Sequence, residues 1–114
     1  MRRNGAAEGA ALGRLLARWS DAVLVADALL GTGIVEPVRE PYASLIVAMN
    51  TCLRPIVAVD LPSGLDCDRG VPLGTAVRAR WTVTFAAMKK GFLEPSAREW
   101  TGPVEVVGIG APLD

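Results

Sequence analysis

The stretch VAVDLPSGLD, residues 57–66, places an acid at the point where an apolar run ends. The run is short, which is typical of a strand buried in a parallel sheet. Asp60 closes it, and the chain turns at once through residues 61–64. Because ligands of open parallel sheets bind beyond the carboxyl ends of the strands, Asp60 is placed where a site would be expected. The alternative is an Asx turn ahead of Pro62 that carries no function.

A second stretch, VLVADALLGTG (residues 23–33), has the same design, with Asp27 after the apolar run 22–26. Between the two runs, Pro41 suits the first turn of a helix. Apolar residues then follow at helical spacing, namely Tyr42, Leu45, Ile46, Met49 and Leu53. A strand, a helix and a strand predict a right-handed parallel crossover. Asp27 and Asp60 are therefore expected at one edge of two neighbouring strands.

The rest of the chain completes an α/β pattern. Residues 6–20 predict a helix, because Leu12, Leu15, Leu16 and Trp19 form one apolar face. The segment 65–80 reads as a loop. The run 81–86 alternates and predicts a strand, with Trp81, Val83 and Phe85 as its core face, and 103–110 predicts the last strand. The pattern indicates one domain with an open, parallel sheet.

Composition excludes several classes of protein. The chain has 114 residues, 51% of them hydrophobic, and 12 basic residues balance 12 acidic ones. A balanced charge favours neither nucleic acid nor an acidic membrane surface as a partner. Asp27 and Asp60 interrupt the longest apolar stretches, so no segment is expected to span a bilayer. No secretory signal is recognisable, which predicts a cytoplasmic protein with Cys52 and Cys67 as free thiols.

The chain contains no histidine, which removes histidine-based acid–base chemistry and serine–histidine pairs. Catalysis would have to use carboxylates, lysines, hydroxyls, backbone groups or a bound ion. Gly31 and Gly33 could expose backbone N–H groups to an anion or form an ordinary turn. Ser63 could offer an oxygen to a cation or serve only the turn. Lys89 could belong to a site or, with Lys90, to a solvated face.

Six motifs in one order resemble the NAD(P)H-hydrate epimerase family, the YjeF N-terminal domain. They are DALLGTG, REPYASLI followed by Asn50, VAVDLPSGLDCDRG, TVTF, Lys89 with Gly91, and GPVEVVGIGAP. The matched region runs from about residue 21 to the end of the chain. VDLPSGLD is distinctive, and the ordered set is more specific than any single motif.

The resemblance implies a Rossmann-like three-layer α/β/α fold with a mostly parallel sheet. It implies an isomerase of metabolite repair that converts the R form of the hydrated cofactors NADHX and NADPHX to the S form. By the family pattern, Asp27 and Ser63 bind a potassium ion, and Asp60 is the acid–base group and also contacts the substrate; Lys89 is a further candidate. The residues expected to line the substrate, its phosphates above all, are Gly31, Thr32, Gly33, Ile34, Val35, Glu36 and Pro37.

The sequence also departs from the family pattern. A glycine- and asparagine-rich loop, expected upstream of the first strand as a further potassium ligand and part of the substrate cradle, is not found in residues 1–13. Residues 1–114 are therefore expected to form a single partial YjeF N-terminal-type domain, truncated on its N-terminal side. Glu36 replaces a glycine common in bacterial relatives, and its charge is expected to weaken phosphate binding.

Two readings of function follow from these departures. The chain is an epimerase domain, here incomplete, or a non-catalytic remnant or protein-interaction module on the same fold. By itself it is expected to turn over little substrate. It is also expected to form a homodimer, or to associate, through the surface that the missing N-terminal half would cover.

Overall fold

The structure, a computed structural model, describes residues 13–14, 17–18, 23–31 and 34–108. Thr32, Gly33 and most of the predicted helix 6–20 lie outside these ranges, although its four described residues are helical. The regular elements, in chain order, are strand β1 (Val25–Asp27), helix α1 (Tyr42–Thr51), strand β2 (Ile56–Val59), strand β3 (Trp81–Phe85), two 3₁₀ turns (Lys90–Leu93 and Pro95–Ala97), helix α2 (Arg98–Thr101) and strand β4 (Val104–Val107).

The four strands form one parallel sheet in the order β1-β2-β3-β4, which confirms the predicted α/β class. Val25 lies opposite Ile56 in the first pair, and Ala58 lies opposite Thr82 in the second. Each strand is added on the same side of the preceding one. Because crossovers between parallel strands are right-handed, such an order sends every connection over the same face of the sheet.

The core lies between that face and helix α1. Ile46 and Met49 on the helix pack with Val25 and Ile56 on the strands, and Val77 of the long loop completes the cluster. The burial of these apolar side chains is the main force that holds the helix on the sheet.

Leu53 is a correction to the predicted helix. The helix ends at Thr51, and Leu53 lies beyond it with a φ of 62° and 94% of its surface exposed. A left-handed residue cannot continue a right-handed helix, so its apolar side chain leaves the core face.

The burial of β3 is the reverse of what was predicted from its apolar residues. Thr82 and Thr84 are fully buried, whereas Trp81 and Phe85 are 40% and 37% exposed. The reason is topological, since the connections cover the face that carries the threonines. The Thr82 hydroxyl donates a hydrogen bond to the Thr101 carbonyl of α2, so a polar side chain is satisfied there.

The turn that follows β2 is buried and tied to the long loop 65–80. The Val77 amide donates to the Ser63 carbonyl at 2.9 Å, and the Leu73 amide donates to the Gly64 carbonyl at 2.8 Å. Gly64 has a φ of 90°, and a Cβ atom there would lie 2.1 Å from the Thr75 carbonyl oxygen. Only glycine meets both the conformation and the close approach.

Three glycine-to-alanine variants separate these two effects. Gly74 has a φ of 83°, but the atom nearest to a Cβ added there lies 3.6 Å away. A Cβ added at Gly31 would have no atom within 4 Å. We expect Gly74→Ala to lower the free energy of unfolding by about 1–3 kcal/mol through backbone strain. Gly64→Ala should cost more, and Gly31→Ala should stay within about 0.5 kcal/mol of the original protein. Chemical denaturation measures all three, and equal losses at Gly64 and Gly74 would contradict the close-packed turn.

Candidate functional site

Two carboxylates and one hydroxyl lie at the carboxyl edge of two adjacent strands. Asp27 is the last residue of β1, and Asp60 follows directly after β2, which pairs with β1 in parallel. Ser63 lies in the buried turn after Asp60. The placement expected from the crossover is therefore observed, whereas the roles of the three residues stay predictions.

Asp27 and Ser63 form a buried cluster. Asp27 is fully buried, and its Oδ2 accepts a hydrogen bond from the Ser63 amide at 2.7 Å. Its Oδ1 accepts one from the Ser63 hydroxyl at 2.6 Å and a longer one from the Leu29 amide at 3.3 Å. The Leu30 amide in turn donates to Ser63 Oγ at 2.9 Å. This cluster ties the end of β1 to the turn after β2.

The cluster has the chemistry of a site for a hard cation. The Leu30 carbonyl oxygen lies 3.5 Å from Ser63 Oγ, so a carboxylate, a hydroxyl and a carbonyl group converge. Oxygen ligands of these types suit hard cations. In the part of the chain that the structure describes, no cationic side chain pairs with the buried Asp27 carboxylate, and no group of three or more His, Cys, Asp or Glu side chains is arranged to hold a metal ion.

Asp60 has a different environment, because its partners belong to β3 and the segment after it. Its Oδ1 lies 2.9 Å from Lys89 Nζ and accepts hydrogen bonds from the Thr84 hydroxyl at 3.0 Å and the Phe85 amide at 3.3 Å. Its amide donates to the Val83 carbonyl at 2.7 Å. The side chain of Asp60 is 30% exposed, so this carboxylate is accessible to solvent whereas Asp27 is not.

The backbone of Asp60 is strained. Its φ is 76°, in the left-handed region that costs energy for any residue other than glycine. Hydrogen bonds through its amide and its carboxylate hold it in this conformation. Such strain persists only where the surroundings enforce it, and it is concentrated at functional positions. The sequence pattern gave no sign of it.

The pKa of Asp60 is set by opposing effects. Burial is the largest single contribution and raises the pKa, but the hydrogen bond and charge of Lys89, with the bonds from the Phe85 amide and the Thr84 hydroxyl, outweigh it and lower the pKa. Asp60 is therefore ionised at neutral pH. The surrounding donors thus favour the charged form although burial opposes it.

Lys89 is brought to Asp60 by the loop between residues 66 and 70. The Gly91 amide donates to the Cys67 carbonyl at 2.7 Å, and a Cβ at Gly91 would meet the Gly70 nitrogen at 2.5 Å. This close approach holds the segment after β3 against the loop. The residues alone left Lys89 as either a site residue or, with Lys90, part of a solvated face, and the family resemblance made it a candidate. Thr84 was missed because its face was taken for the less buried one.

The segment expected to line the substrate follows β1. Gly31, Val35, Glu36 and Pro37 are exposed and Ile34 is half-buried. A cavity of about 210 Å³ is lined here by Leu30, Ile34, Glu36, Pro37, Val38, Arg39 and Tyr42. Glu36 lies 3.4 Å from the Arg39 guanidinium, with both side chains largely exposed. The negative charge that was expected to oppose phosphate binding therefore has a cation beside it, which sequence reasoning did not identify.

Comparison with known proteins shows the family to which the chain belongs. Residues 5–91 match the family described as YjeF-related protein N-terminus. The chain is 50% identical over 94 residues to a bifunctional NAD(P)H-hydrate repair enzyme Nnr of Pyrobaculum aerophilum, and 43% identical over 91 residues to an NAD(P)H-hydrate epimerase of Rhodopirellula baltica. These alignments cover 82% and 80% of the chain but only 18% and 37% of the two relatives. The chain thus spans well under half the length of these relatives, and it belongs to the YjeF-related N-terminal family.

Proposed function

We propose that the protein is an NAD(P)H-hydrate epimerase, in which Asp60 is the acid–base group. The observation that carries the proposal is the asymmetric binding of the Asp60 carboxylate. Three donors hold Oδ1, whereas Oδ2 has no hydrogen-bond or ion-pair partner among the residues that the structure describes. An ionised oxygen at the carboxyl edge of a parallel sheet can accept a proton from a bound ligand. The names of the relatives supply the substrate class.

The chemistry of such a hydrate suits one ionised carboxylate. Water added across a double bond beside a ring nitrogen leaves its hydroxyl on the carbon attached to that nitrogen. A proton from the solvent joins this hydroxyl, which leaves as water while the nitrogen electron pair forms an iminium ion; Asp60 gives the proton that it accepts in the next step back to the solvent, so no net proton is consumed. Water then adds to the opposite face and loses one proton, so atoms and charge balance. Oδ2 of Asp60 accepts that proton and, in the reverse direction, returns it; its negative charge also stabilises the cation.

Asp60→Asn, made in a polypeptide that includes the complete family domain, is the direct test of this role. The amide keeps the shape of the side chain but cannot accept the proton, so kcat for the interconversion of the two epimers should fall by about 10²–10⁴-fold. Asp68→Asn, in the exposed part of the next loop, is the matched control and should keep its rate. Epimer ratios followed by chromatography measure both. Unchanged turnover in Asp60→Asn would exclude the acid–base role, whereas a complete domain without any turnover would favour a binding module.

We also propose that Asp27 and Ser63 hold a potassium ion. The support is the converging set of carboxylate, hydroxyl and carbonyl oxygens around a fully buried charge. When bound, the ion would supply a fixed positive charge at the end of β1. Both oxygens of Asp27 accept hydrogen bonds from Ser63, which lies three residues after Asp60. The cluster therefore orients the turn that carries Asp60.

Thermal unfolding tests the ion site without an activity assay. Potassium at about ten times its Kd should stabilise the protein by about 1.4 kcal/mol through mass action. For a domain of this size the melting temperature should then rise by roughly 5 °C relative to choline chloride at the same ionic strength. Asp27→Asn should lose this response, and Asp68→Asn should keep it. Equal melting temperatures in the two salts at saturating concentration would exclude the ion site.

The segment from Gly31 to Pro37, including Thr32 and Gly33, is proposed to bind the phosphates of NADHX or NADPHX. The cavity beside Glu36 and the exposed backbone of Gly31 support this. Arg39 gives the cavity a cation that can face an anion. Glu36 then competes with the phosphates for Arg39, which explains physically how its carboxylate would weaken binding.

We propose further that the open face of the sheet joins two copies of the chain. Its partly exposed residues include Val59, Trp81, Phe85 and Val107, and the connections between the strands all cover the other face. An apolar face of this kind favours association.

Sedimentation of Trp81→Glu tests this face. The original protein should sediment as a dimer, and Trp81→Glu as a monomer because a charge would be buried at the contact. Val47→Glu, on the exposed side of α1, should leave the dimer intact. A monomeric original protein would contradict the proposal.

The cytoplasm is the proposed location. Cys52 and Cys67 are both free thiols, which suits a reducing compartment. Within the described ranges, no helix has the length and apolar character required to cross a bilayer.

A further inference from the structure

The two oxygens of Asp60 differ in a way that the proposed reaction does not by itself require. Oδ1 is bound by three donors, namely Lys89 Nζ, the Thr84 hydroxyl and the Phe85 amide. Two of these donors belong to β3 and are rigid parts of the sheet. Lys89 is the only one that carries a charge, and it comes from the segment after the strand. Its removal would therefore change the charge at Asp60 while leaving the sheet intact.

Lys89 is also fixed in place more firmly than a surface lysine. Its side chain is 20% exposed, whereas the neighbouring Lys90 is exposed. It immediately precedes the 3₁₀ turn Lys90–Leu93, and its carbonyl accepts a hydrogen bond from the Phe92 amide at 3.1 Å. The Gly91 amide holds this turn against the loop 66–70 through its hydrogen bond to the Cys67 carbonyl. The ammonium group therefore has little freedom to leave Asp60.

We propose that Lys89 is a positioning residue, which holds Oδ1 of Asp60 so that Oδ2 alone meets the reacting group. Its catalytic consequence rests on the proposed epimerase function, but the pairing with Asp60 does not. A charged hydrogen bond to one oxygen restricts rotation of the carboxylate and directs the other oxygen outward. The same ammonium group stabilises the ionised form that must accept the proton.

The pH dependence follows with a definite sign. The donors lower the pKa of Asp60 below its ordinary value, so this network stabilises the fold above the unfolded carboxyl pKa and loses that contribution as the pH falls through the lowered folded pKa. Replacing Lys89 by methionine removes the charge and one hydrogen bond but leaves the effect of burial, which raises the pKa. The titration of Asp60, and with it the acid limb of the rate profile, should therefore move to higher pH. No other ion pair reaches Asp60 within the described ranges, and the nearby Lys90 is not bonded to it.

The experiment compares Lys89→Met with Lys90→Met, the same substitution one residue away. The carboxyl carbon of Asp60 is titrated by NMR in both variants and in the original protein, and kcat and KM for epimerisation are measured across pH. Lys89→Met should shift the Asp60 titration and the acid limb of kcat together to higher pH, and lower kcat by up to about 10²-fold with little change in KM. Lys90→Met should match the original protein. Lys89→Arg, which keeps a cation, should restore most of the titration shift.

Three results would overturn the proposal. The first is an Asp60 titration that is the same in Lys89→Met and the original protein, with folding verified by the amide spectrum. The second is a rise in KM with kcat unchanged, which would mean that Lys89 binds substrate phosphates. The third is an equal effect of Lys90→Met. Because the chain by itself is expected to turn over little substrate, the rates are measured on a polypeptide that includes the complete family domain. If that polypeptide shows no epimerisation, the proposed function fails, and the NMR titration still decides whether Lys89 controls Asp60.

Discussion

The handedness of the connections between parallel strands is the constraint on which this structure depends. Four strands follow one another across the sheet, so right-handed crossovers bring α1, the long loop and α2 to a single face. That face becomes the core, and its polar residues must find partners within the protein. The Thr82 hydroxyl does so at the Thr101 carbonyl of α2. The opposite face keeps its apolar residues partly exposed.

The same topology gives two aspartates of equal strand-end position very different chemistry. Asp27 faces the core, and both of its oxygens are bound by the turn that contains Ser63. Asp60 leaves the strand with a left-handed backbone, and its carboxylate binds β3 while remaining partly exposed. One carboxylate is thereby suited to organise the turn and hold a cation. The other is suited to exchange a proton, because only one of its oxygens is committed.

The long loop 65–80 links these two carboxylates to the rest of the fold. Gly64 lets the turn after β2 approach Thr75, and Gly91 lets the segment after β3 approach the loop 66–70. Without these close approaches, Ser63 would not reach Asp27, and Lys89 would not reach Asp60. The site is therefore built from contacts between turns and depends on backbone packing as much as on its charged groups.

The amino-acid sequence by itself determined the α/β class, the crossover between the first two strands and the placement of Asp27, Asp60 and Ser63 at one edge of the sheet. Those features follow from short-range patterns, since apolar runs that end in an acid and a turn can be recognised along the chain. The motif order also identified the family. The buried face of β3 could not be obtained in this way, because alternation shows that two faces differ but not which one the connections cover. Nor could the pairing of Lys89 with Asp60, or the strained backbone of Asp60, since both arise from contacts between segments more than 20 residues apart. The tertiary structure decided them, because distance in space between such segments is fixed by packing and not by spacing in the sequence.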